Sequence, residues 1–462
     1  MIIRINRFCI CISLILYFNI FVPFDSQAES LKEQKYYTIM VDNNKEFSKI
    51  KKIISKYNSK VVYEVQELYI LQIKGSESDV QKIKKNFKIF INKSTSSSKR
   101  TNPNSKITKL DEDDIKNKQW DVIKTTDNFT SYSKNKGSHL HAVALIDSGI
   151  DIRHPDLKMN ILSYKNLVPK NGFRSEEKDE NGKLNYIVDK IDHGTQVAGQ
   201  IASNGNIKSI APETGLKVYR VIGSKSAENI WILKGIVEAA NDDVDVINLS
   251  LGDYLMNSPF YSQGRIQTND AVEYHGFIKA VNYAHRKGSI VVGALGNDSI
   301  NIDDNEKFLE KVFSIEPYQL LKSNTKIYDF PAQQKNVIGV GSADFEDQIA
   351  DYSNTSEAFL DVLSYSGDYG LLTTYGQDIW QKDRLFEKDL VITTSQNESG
   401  YTFTTGNSIA AGKVSTALAA LNNCYNIKND PRLTQEILKN RLHNSKILNM
   451  NEILGNSCSI KK

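Results

Sequence analysis

The chain contains 462 residues, and its 58 Lys and Arg against 55 Asp and Glu leave a formal net charge of +3 at pH 7. This near-neutral total excludes a protein whose main partner is nucleic acid, because such a partner requires a clear excess of basic side chains. With 40% hydrophobic and 24% charged residues, the composition is typical of a globular protein and excludes a disordered or fibrous chain.

The charge is distributed unevenly along the chain. Residues 1–28 carry a net charge of +1, residues 29–100 carry +8, and residues 101–462 carry −6. An asymmetry of this kind predicts separate parts with different roles. The length accommodates one large α/β domain together with a small accessory unit.

The first part, residues 1–28, has the features of a secretory signal peptide. Arg4 and Arg7 precede a mostly apolar run over 8–24, and Ser26-Gln27-Ala28 offers a cleavage site of small residues. The alternative is an uncleaved membrane anchor, because the apolar run is close to the lower length limit for a span. We predict cleavage, which gives a secreted, extracellular product that no longer contacts the membrane.

Cysteines are few. Cys9 and Cys11 lie in the predicted signal peptide, which leaves Cys424 and Cys458 in the exported chain. Outside the cell these two can form a disulfide or remain separate thiols, and the sequence leaves both possibilities open. We find no Cys and His spacing that resembles a zinc site, so we expect no metal at the site.

Residues 29–100 predict a small α+β unit followed by a linker. Strand and amphipathic helix patterns follow one another in the order β-α-β-β-α-β, which is the ferredoxin-like arrangement. From residue 94 the sequence is polar without a core pattern, and it ends in the basic pair Lys99-Arg100. Polar segments of this kind are loops and preferred sites of proteolytic cleavage.

After Trp120, strand and helix patterns alternate, which predicts an α/β fold with a parallel sheet flanked by helices. In such sheets the chemistry lies beyond the carboxyl ends of the strands. Four polar residues are predicted at strand ends or at helix starts: Asp147, His193, Asn297 and Ser408. Each alone is typical of a helix cap or a structural side chain. Together they can supply a nucleophile, its base, an orienting carboxylate and an oxyanion donor.

The segments around these residues resemble the subtilase (subtilisin-like) serine protease family. Ile146-Asp147-Ser148-Gly149 matches the aspartate motif, His193-Gly194-Thr195 the histidine motif, Gly406-x-Ser408-x-Ala410 the serine motif, and Gly296-Asn297 the oxyanion asparagine. The resemblance covers most of residues 119–425. It implies that Ser408 is the nucleophile, His193 the general base and then acid, Asp147 its orienting partner, and Asn297 the oxyanion donor.

The match to the family pattern is incomplete next to these residues. Asn407 stands where the family usually has Thr, and Gly412 where it usually has Pro. Asp192 replaces a common Gly, and Gln196 replaces a common second His. None of these departures removes a member of the triad, so we expect an active enzyme.

The resemblance also implies a domain organisation. Residues 29–100 are expected to be a propeptide that inhibits the enzyme and assists its folding, and residues 101–462 the catalytic domain. Lys99-Arg100 then supplies a basic cut site at the boundary between them. We expect a monomer that needs no cofactor for catalysis. Asp156 matches a calcium-ligand position of the family, but one carboxylate does not define a site, so structural calcium stays open.

Family resemblance places Ser250-Leu251-Gly252 on one wall of the primary specificity pocket, where an extended substrate adds as a strand. Asp298, which follows Asn297, is expected near that pocket, where a carboxylate can pair with an arginine side chain. The alternative is a solvated loop carboxylate, because further acidic residues follow closely at 303–306.

A secreted subtilase with a propeptide, an acidic residue near the pocket and a long insertion at 299–334 resembles the lantibiotic leader peptidases. Those enzymes remove the leader of a precursor such as epidermin or nisin after an arginine. The resemblance implies that a lantibiotic precursor leader is the peptide substrate. The alternative is a degradative extracellular subtilase with broad specificity, whereas a catalytically inactive binding protein would need a defective triad.

Overall fold

The computed structural model describes residues 33–87, 89–97, 115–258, 260–262, 265–267, 271–313, 318–320, 324–397, 400–442, 446–456 and 458. The predicted signal peptide, residues 1–28, and the Lys99-Arg100 pair lie outside the described residues, as does part of the predicted 299–334 insertion. Within the described ranges, no helix combines the length and the apolar character that crossing a membrane requires.

Residues 33–97 form a small unit of strands and helices. In chain order its elements are β1 (Gln34–Met40), α1 (Asn44–Ile53), β2 (Lys60–Val65), β3 (Ile70–Ser76), α2 (Glu77–Asn86), β4 (Phe90–Lys93) and the short β5 (Ser96–Ser97). The first four strands form an antiparallel sheet in the order β2-β3-β1-β4. Both helices begin at a capping side chain, since Asn43 and Ser76 accept hydrogen bonds from backbone N–H groups of the first turn.

The large unit is built on a parallel sheet. Its strands are β6 (Val143–Asp147), β7 (Ile161–Asn166), β8 (Leu216–Arg220), β9 (Ala227–Glu228), β10 (Val246–Leu249), β11 (Asp253–Met256), β12 (Phe260–Ser262), β13 (Arg265–Gln267), β14 (Ile290–Ala294), β15 (Tyr318–Leu320), β16 (Ile327–Phe330), β17 (Val337–Ala343), β18 (Val362–Tyr365), β19 (Val391–Thr394) and β20 (Tyr401–Thr404). Seven of these described strands form one parallel sheet in the order β18-β17-β14-β10-β6-β8-β7. The central strands β6, β10, β14 and β17 are buried along their whole length, which explains why most of their residues are apolar.

Helices cover both faces of this sheet. The α-helices described in the large unit are α3 (Trp120–Thr125), α4 (His193–Ala202), α5 (Asn229–Asn241), α6 (Ala271–Lys287), α7 (Asn305–Val312), α8 (Gly370–Lys382), α9 (Phe386–Asp389), α10 (Asn407–Tyr425), α11 (Pro431–Arg441) and α12 (Met450–Leu454). Alternate residues of β6 face opposite cores, because side chains along a strand point to alternate faces. Val143 and Leu145 pack with α4 and α10, and Ala144 and Ile146 pack with α5 and α6. The predicted α/β fold with a helix-flanked parallel sheet is therefore confirmed.

The small unit packs on the α5 and α6 face of the large unit. Met40, Val65 and Ile70 belong to the same apolar cluster as Trp231 and Phe277. Beyond the small sheet, β5 pairs antiparallel with β9 of the large unit. The two units are thus joined by apolar packing and by backbone pairing.

Two further features connect distant parts of the chain. Cys424, at the end of α10, forms a disulfide with Cys458, with 5.5 Å between the Cα atoms, which resolves the alternative that the sequence leaves open. The described part of the predicted insertion is ordered into α7 and β16, and β16 pairs antiparallel with β11. This segment therefore lies against the strand that follows Ser250-Leu251-Gly252.

Candidate active site

The fold brings the four residues predicted to carry the chemistry to one edge of the sheet. Asp147 is the last residue of β6, and Asn297 follows the end of the parallel strand β14. His193 is the first residue of α4, and Ser408 is the second residue of α10. The carboxyl ends of β6, β10 and β14 lie side by side because these strands are parallel neighbours. This is the edge where open α/β sheets place their ligands.

His193 and Asp147 are joined by a short hydrogen bond. His193 Nδ1 lies 2.7 Å from Asp147 Oδ1. The Asp147 side chain is completely buried, whereas that of His193 is 31% exposed. A buried carboxylate on Nδ1 fixes the imidazole tautomer and leaves Nε2 to accept a proton from another group.

The surroundings of His193 favour its protonated form. Burial lowers the pKa of His193, but the charge and hydrogen bond of Asp147, with the charges of Asp189 and Asp192, outweigh it and raise the pKa above its usual value. Asp192 is the residue before His193, and its carboxylate accepts hydrogen bonds from Ser395 Oγ at 2.6 Å and Gln196 Nε2 at 3.1 Å. Two departures from the family pattern, Asp192 and Gln196, therefore contact each other.

Ser408 is tied to the chain that follows β10. Its Oγ donates a hydrogen bond to the Ser250 carbonyl at 2.9 Å, and Ser250 Oγ donates to the Ser408 carbonyl at 2.6 Å. The hydroxyl proton of Ser408 is thus directed at Ser250 in this conformation. The hydroxyl must turn away from Ser250 to direct its proton to His193, and such catalytic contacts often tighten only when substrate binds.

Asn297 is oriented by the start of α10. Its Oδ1 accepts a hydrogen bond from the Asn407 backbone N–H at 3.0 Å. With the oxygen held in this way, Nδ2 remains available as a donor on the other side of the amide. Gly406, with φ 130°, provides the turn from which α10 begins.

The residues predicted to bind substrate lie beside this cluster. Gly252 has no room for a side chain, because a Cβ atom there would lie 2.2 Å from the Phe330 carbonyl oxygen. Asp298 is half-buried, and its carboxylate accepts a hydrogen bond from the Tyr254 hydroxyl while its N–H donates to Asn354 Oδ1 at 3.2 Å. Asp298 is therefore anchored in a hydrogen-bond network, unlike a solvated loop carboxylate.

One acidic residue of this network, Asp329 in β16, is not among the residues predicted from the sequence. It is 2% exposed, and its Oδ2 accepts hydrogen bonds from Gly296 N–H at 2.7 Å and Asn354 Nδ2 at 2.9 Å. Asn354 Nδ2 also donates to Tyr254 Oη at 2.8 Å, which links Asp329 to Asp298. The available signal was an acidic residue inside an otherwise apolar strand, Ile327–Phe330, where an unpaired charge is costly.

Asp156, which matches a calcium-ligand position of the family, accepts hydrogen bonds from other parts of the protein. Its carboxylate accepts hydrogen bonds from Asn206 N–H at 3.2 Å, Ile207 N–H at 3.0 Å and Tyr401 Oη at 3.0 Å. The Asp156 carboxylate thus joins the chain at 206–207 to Tyr401 through protein hydrogen bonds. Among the described residues, no group of three or more His, Cys, Asp or Glu side chains converges as a metal site.

Comparison with known proteins agrees with this geometry. Residues 140–456 match the Subtilase family, Peptidase S8. Over 420 residues, 89% of this chain and 88% of the relative, the chain is 41% identical to the epidermin leader peptide-processing serine protease EpiP of Staphylococcus epidermidis. It is also 41% identical over 340 residues, 73% of this chain, to the nisin leader peptide-processing serine protease NisP of Lactococcus lactis subsp. lactis, of which it spans 48%.

Solved structures show the same similarity. A mutant of the epidermin leader peptide processing serine protease EpiP from Staphylococcus aureus matches with a TM-score of 0.81 and 31% identity, over 92% of this chain and 100% of that one. The nisin leader peptidase NisP from Lactococcus lactis matches with a TM-score of 0.69 and 40% identity, over 74% of this chain and 94% of that one. The chain belongs to the subtilase family of serine proteases, and it is a peptide hydrolase.

Proposed function

We propose that this subtilase is an exported endopeptidase that removes the leader from a lantibiotic precursor by cutting after an arginine. The observation that carries the substrate class is the 41% identity, over 89% of the chain, to a protease that processes the epidermin leader peptide. The contact of His193 with buried Asp147, on the sheet edge that also bears Ser408, supports the chemistry.

The proposed reaction proceeds through an acyl-enzyme. Ser408 Oγ attacks the scissile carbonyl carbon while His193 Nε2 takes the hydroxyl proton, and Asp147 stabilises the imidazolium that forms. Asn297 Nδ2 and the Ser408 N–H, in the first turn of α10, donate to the oxyanion. Collapse breaks the C–N bond, and His193 gives its proton to the leaving amine. Water then attacks the acyl carbon with His193 as base, which releases the carboxylate product and restores Ser408.

Arginine selection is supported by acidic residues next to the predicted pocket wall. Asp298 and Asp329 are linked through the side chains of Tyr254 and Asn354, and Asp329 accepts a hydrogen bond from the backbone of Gly296. The Tyr254 hydroxyl, the Asn354 amide and the Gly296 N–H, which donate to these carboxylates, are uncharged groups. In a partly desolvated site, a carboxylate and a guanidinium form a strong charge-assisted hydrogen bond.

We propose that residues 1–28 are a signal peptide, 29–100 an inhibitory propeptide, and 101–462 the catalytic domain of a monomeric extracellular enzyme. The tail of the small unit already adds a strand to β9, as an extended substrate would. Thr95 accepts from the Asn229 N–H at 3.1 Å, and Asn229 Nδ2 reaches Asp253 at 3.3 Å, directly after the Ser250-Leu251-Gly252 wall. This path leads the chain toward the cleft shortly before Lys99-Arg100.

A competition experiment tests the substrate class. Equal concentrations of a leader-bearing lantibiotic precursor and of unfolded casein are incubated with the mature enzyme, and mass spectrometry follows both. The proposal predicts one cut in the precursor, at the end of its leader, and a much slower loss of casein. Rapid cleavage of casein at many sites would instead support a degradative enzyme of broad specificity.

A further inference from the structure

Asn407, the residue before Ser408, contacts three consecutive residues on the other side of the site. Its Nδ2 donates hydrogen bonds to the carbonyls of Leu295 at 3.1 Å and of Gly296 at 2.8 Å. Its backbone N–H donates to Asn297 Oδ1 at 3.0 Å. One residue of α10 therefore holds the whole turn by which the chain leaves β14.

Further contacts also restrict the turn that Asn407 holds. Leu295 N–H donates to the Val340 carbonyl at 2.9 Å, and the Gly296 carbonyl also accepts from Asn354 N–H at 2.8 Å. A Cβ atom on Gly296 would lie 2.2 Å from Tyr254 Oη. Small displacements of this backbone therefore move Asn297, whose amide must lie about 3 Å from the oxyanion to stabilise it.

Burial of the Asn407 side chain costs folding free energy. This side chain is completely buried, and its Oδ1 is a buried acceptor without a hydrogen-bond partner among the described residues. A buried polar atom that is left unpaired destabilises the folded state. The contribution of the Asn407 amide to the structure therefore comes from its two N–H donors. The family's usual threonine has a single, shorter O–H donor and cannot reach two carbonyls at once.

We infer that Asn407 is a positioning residue for oxyanion stabilisation. Its amide fixes the carbonyls of Leu295 and Gly296, and its N–H fixes Asn297 Oδ1, so that Asn297 Nδ2 and the Ser408 N–H converge on one point. The inference rests on the proposed chemistry, because the oxyanion forms when Ser408 attacks the peptide carbonyl. It does not depend on which precursor is the natural substrate.

The test compares Asn407→Ala, Asn407→Thr, Asn297→Ala and the double variant Asn407→Ala/Asn297→Ala on a fluorogenic peptide with arginine before the scissile bond. Loss of an oxyanion donor lowers kcat by about 100- to 1,000-fold, which sets the expectation for Asn297→Ala. Asn407→Ala is expected to lower kcat at least tenfold with KM within about twofold, and Asn407→Thr to lower it less. The double variant should be no slower than Asn297→Ala alone, because both act through the same amide.

Two further measurements separate positioning from general destabilisation. Asn422→Ala removes another buried amide of α10, one that accepts from Thr434 Oγ1 at 2.7 Å, and is expected to lower thermal stability while kcat is retained. A peptidyl trifluoromethyl ketone, which forms an oxyanion with Ser408, should bind Asn407→Ala at least tenfold more weakly, whereas a product peptide should bind equally well.

Independent effects of Asn407→Ala and Asn297→Ala on kcat, or unchanged kcat and ketone affinity in folded Asn407→Ala, would overturn the inference. If the alanine variant does not fold, Asn407→Thr decides in the same way, since wild-type kcat in that variant contradicts positioning by the amide. Failure of the proposed function is distinguishable, because wild-type enzyme would then cleave the fluorogenic peptide but leave a lantibiotic precursor intact.

Discussion

The imidazole of His193 is surrounded by more negative charge than a single orienting carboxylate supplies. Asp147 bonds to Nδ1, while Asp189 and Asp192 lie close enough to raise the pKa of His193 through their charges. Asp189 is buried beneath the start of α4 and accepts from Thr195 N–H at 2.8 Å. Of these two residues, Asp192 is a departure from the family pattern, because subtilases commonly have Gly at that position.

Substitution of Asp192 by Asn is expected to extend activity to lower pH. The base must be unprotonated, so the rate falls as pH drops below the pKa of His193. Because the charge of Asp192 raises that pKa, its removal lowers the pKa and moves the acid limb of the kcat/KM profile to lower pH. The measurement is the pH profile of kcat/KM for Asp192→Asn beside Asp179→Asn, a carboxylate on the exposed surface next to Lys190. An acid limb that shifts equally in both variants, or in neither, contradicts this assignment.

The acidic network around Tyr254 has a consequence for specificity. A hydrogen bond to a charged group contributes about 1.5–3 kcal/mol, which corresponds to about a 10- to 100-fold change in an equilibrium or rate. The value of kcat/KM for arginine peptides, divided by that for alanine peptides, is therefore expected to fall by about that factor in Asp298→Asn or Asp329→Asn. The matched control is Asp304→Asn, an exposed carboxylate at the start of α7 that pairs with Lys307. Unaltered ratios in both network variants would mean that neither carboxylate meets the substrate.

The residues of the site differ in how far they could be predicted. Asp147, His193 and Ser408 lie in contiguous motifs, so their local sequence is sufficient to identify them. Asp329 acquires its position through a hydrogen bond to Gly296, which lies 33 residues earlier, and Asn354 is 100 residues from its partner Tyr254. A local pattern, such as the acidic residue within β16, can show that a partner is needed, but it cannot identify that partner, because the contact exists only after the strands have paired.

At the scale of elements, α10 is held in place at several points along its length. Near Ser408, Lys413 Nζ lies 2.7 Å from Asp121 Oδ2 of α3 and donates to the Tyr365 carbonyl at 2.7 Å. Both charged side chains are completely buried. Further along, the Cys424–Cys458 disulfide joins the end of the helix to the C-terminal segment. The helix that carries the nucleophile is thus fixed to α3 and to the segment around Cys458.

The buried pair predicts a non-additive loss of stability. Lys413→Met leaves Asp121 as an uncompensated buried charge, and breaking such a pair costs about 3–5 kcal/mol of unfolding free energy. The double variant Lys413→Met/Asp121→Leu removes both charges and is expected to be more stable than either single variant. Urea unfolding followed by tryptophan fluorescence measures these differences. Additive losses in the double variant would show that the two side chains do not act as a pair.

Among the elements, the buried strands could be predicted and the edges could not. Continuous apolar runs mark β6, β10 and β14, because both faces of these strands are covered by helices. The edge strand β7 is largely exposed at Leu162, Ser163 and Tyr164, so its sequence lacks that signal. The opposite edge, β18, has the sequence Val362-Leu363-Ser364-Tyr365, in which the aliphatic run covers only two residues.

At the scale of the whole molecule, the division of the chain by net charge coincides with its division into two units that pack together. The basic segment 29–100, with a net charge of +8, packs on the acidic segment 101–462, with −6. The ion pair of Lys234 in α5 with Glu67 of the small unit, at 3.5 Å, has the opposite sense, so the complementarity lies in the net charges of the two segments. If residues 29–100 are a propeptide, as proposed, such complementarity favours a complex that persists until the connecting chain is cut.

If the enzyme cuts its own linker, Ser408→Ala should leave the small unit covalently attached. Wild-type protein and Ser408→Ala are produced in a host that lacks extracellular proteases, and the mass of each chain is determined. The expected results are a shortened wild-type chain whose new N-terminus follows a basic residue near Arg100, and a variant that keeps its linker intact. Normal processing of the variant would show that another protease performs this step.

The central claim is that Ser408 cleaves a leader after arginine, and paired precursor peptides test it most directly. Two lantibiotic precursors that differ only in having arginine or alanine at the end of the leader are incubated with wild-type enzyme and with Ser408→Ala. Mass spectrometry then measures the rate and the position of the cut. The account predicts that the wild type releases the leader from the arginine precursor at least tenfold faster, at that arginine, and that the variant releases none. Equal rates for the two precursors, or leader release by Ser408→Ala, would contradict it.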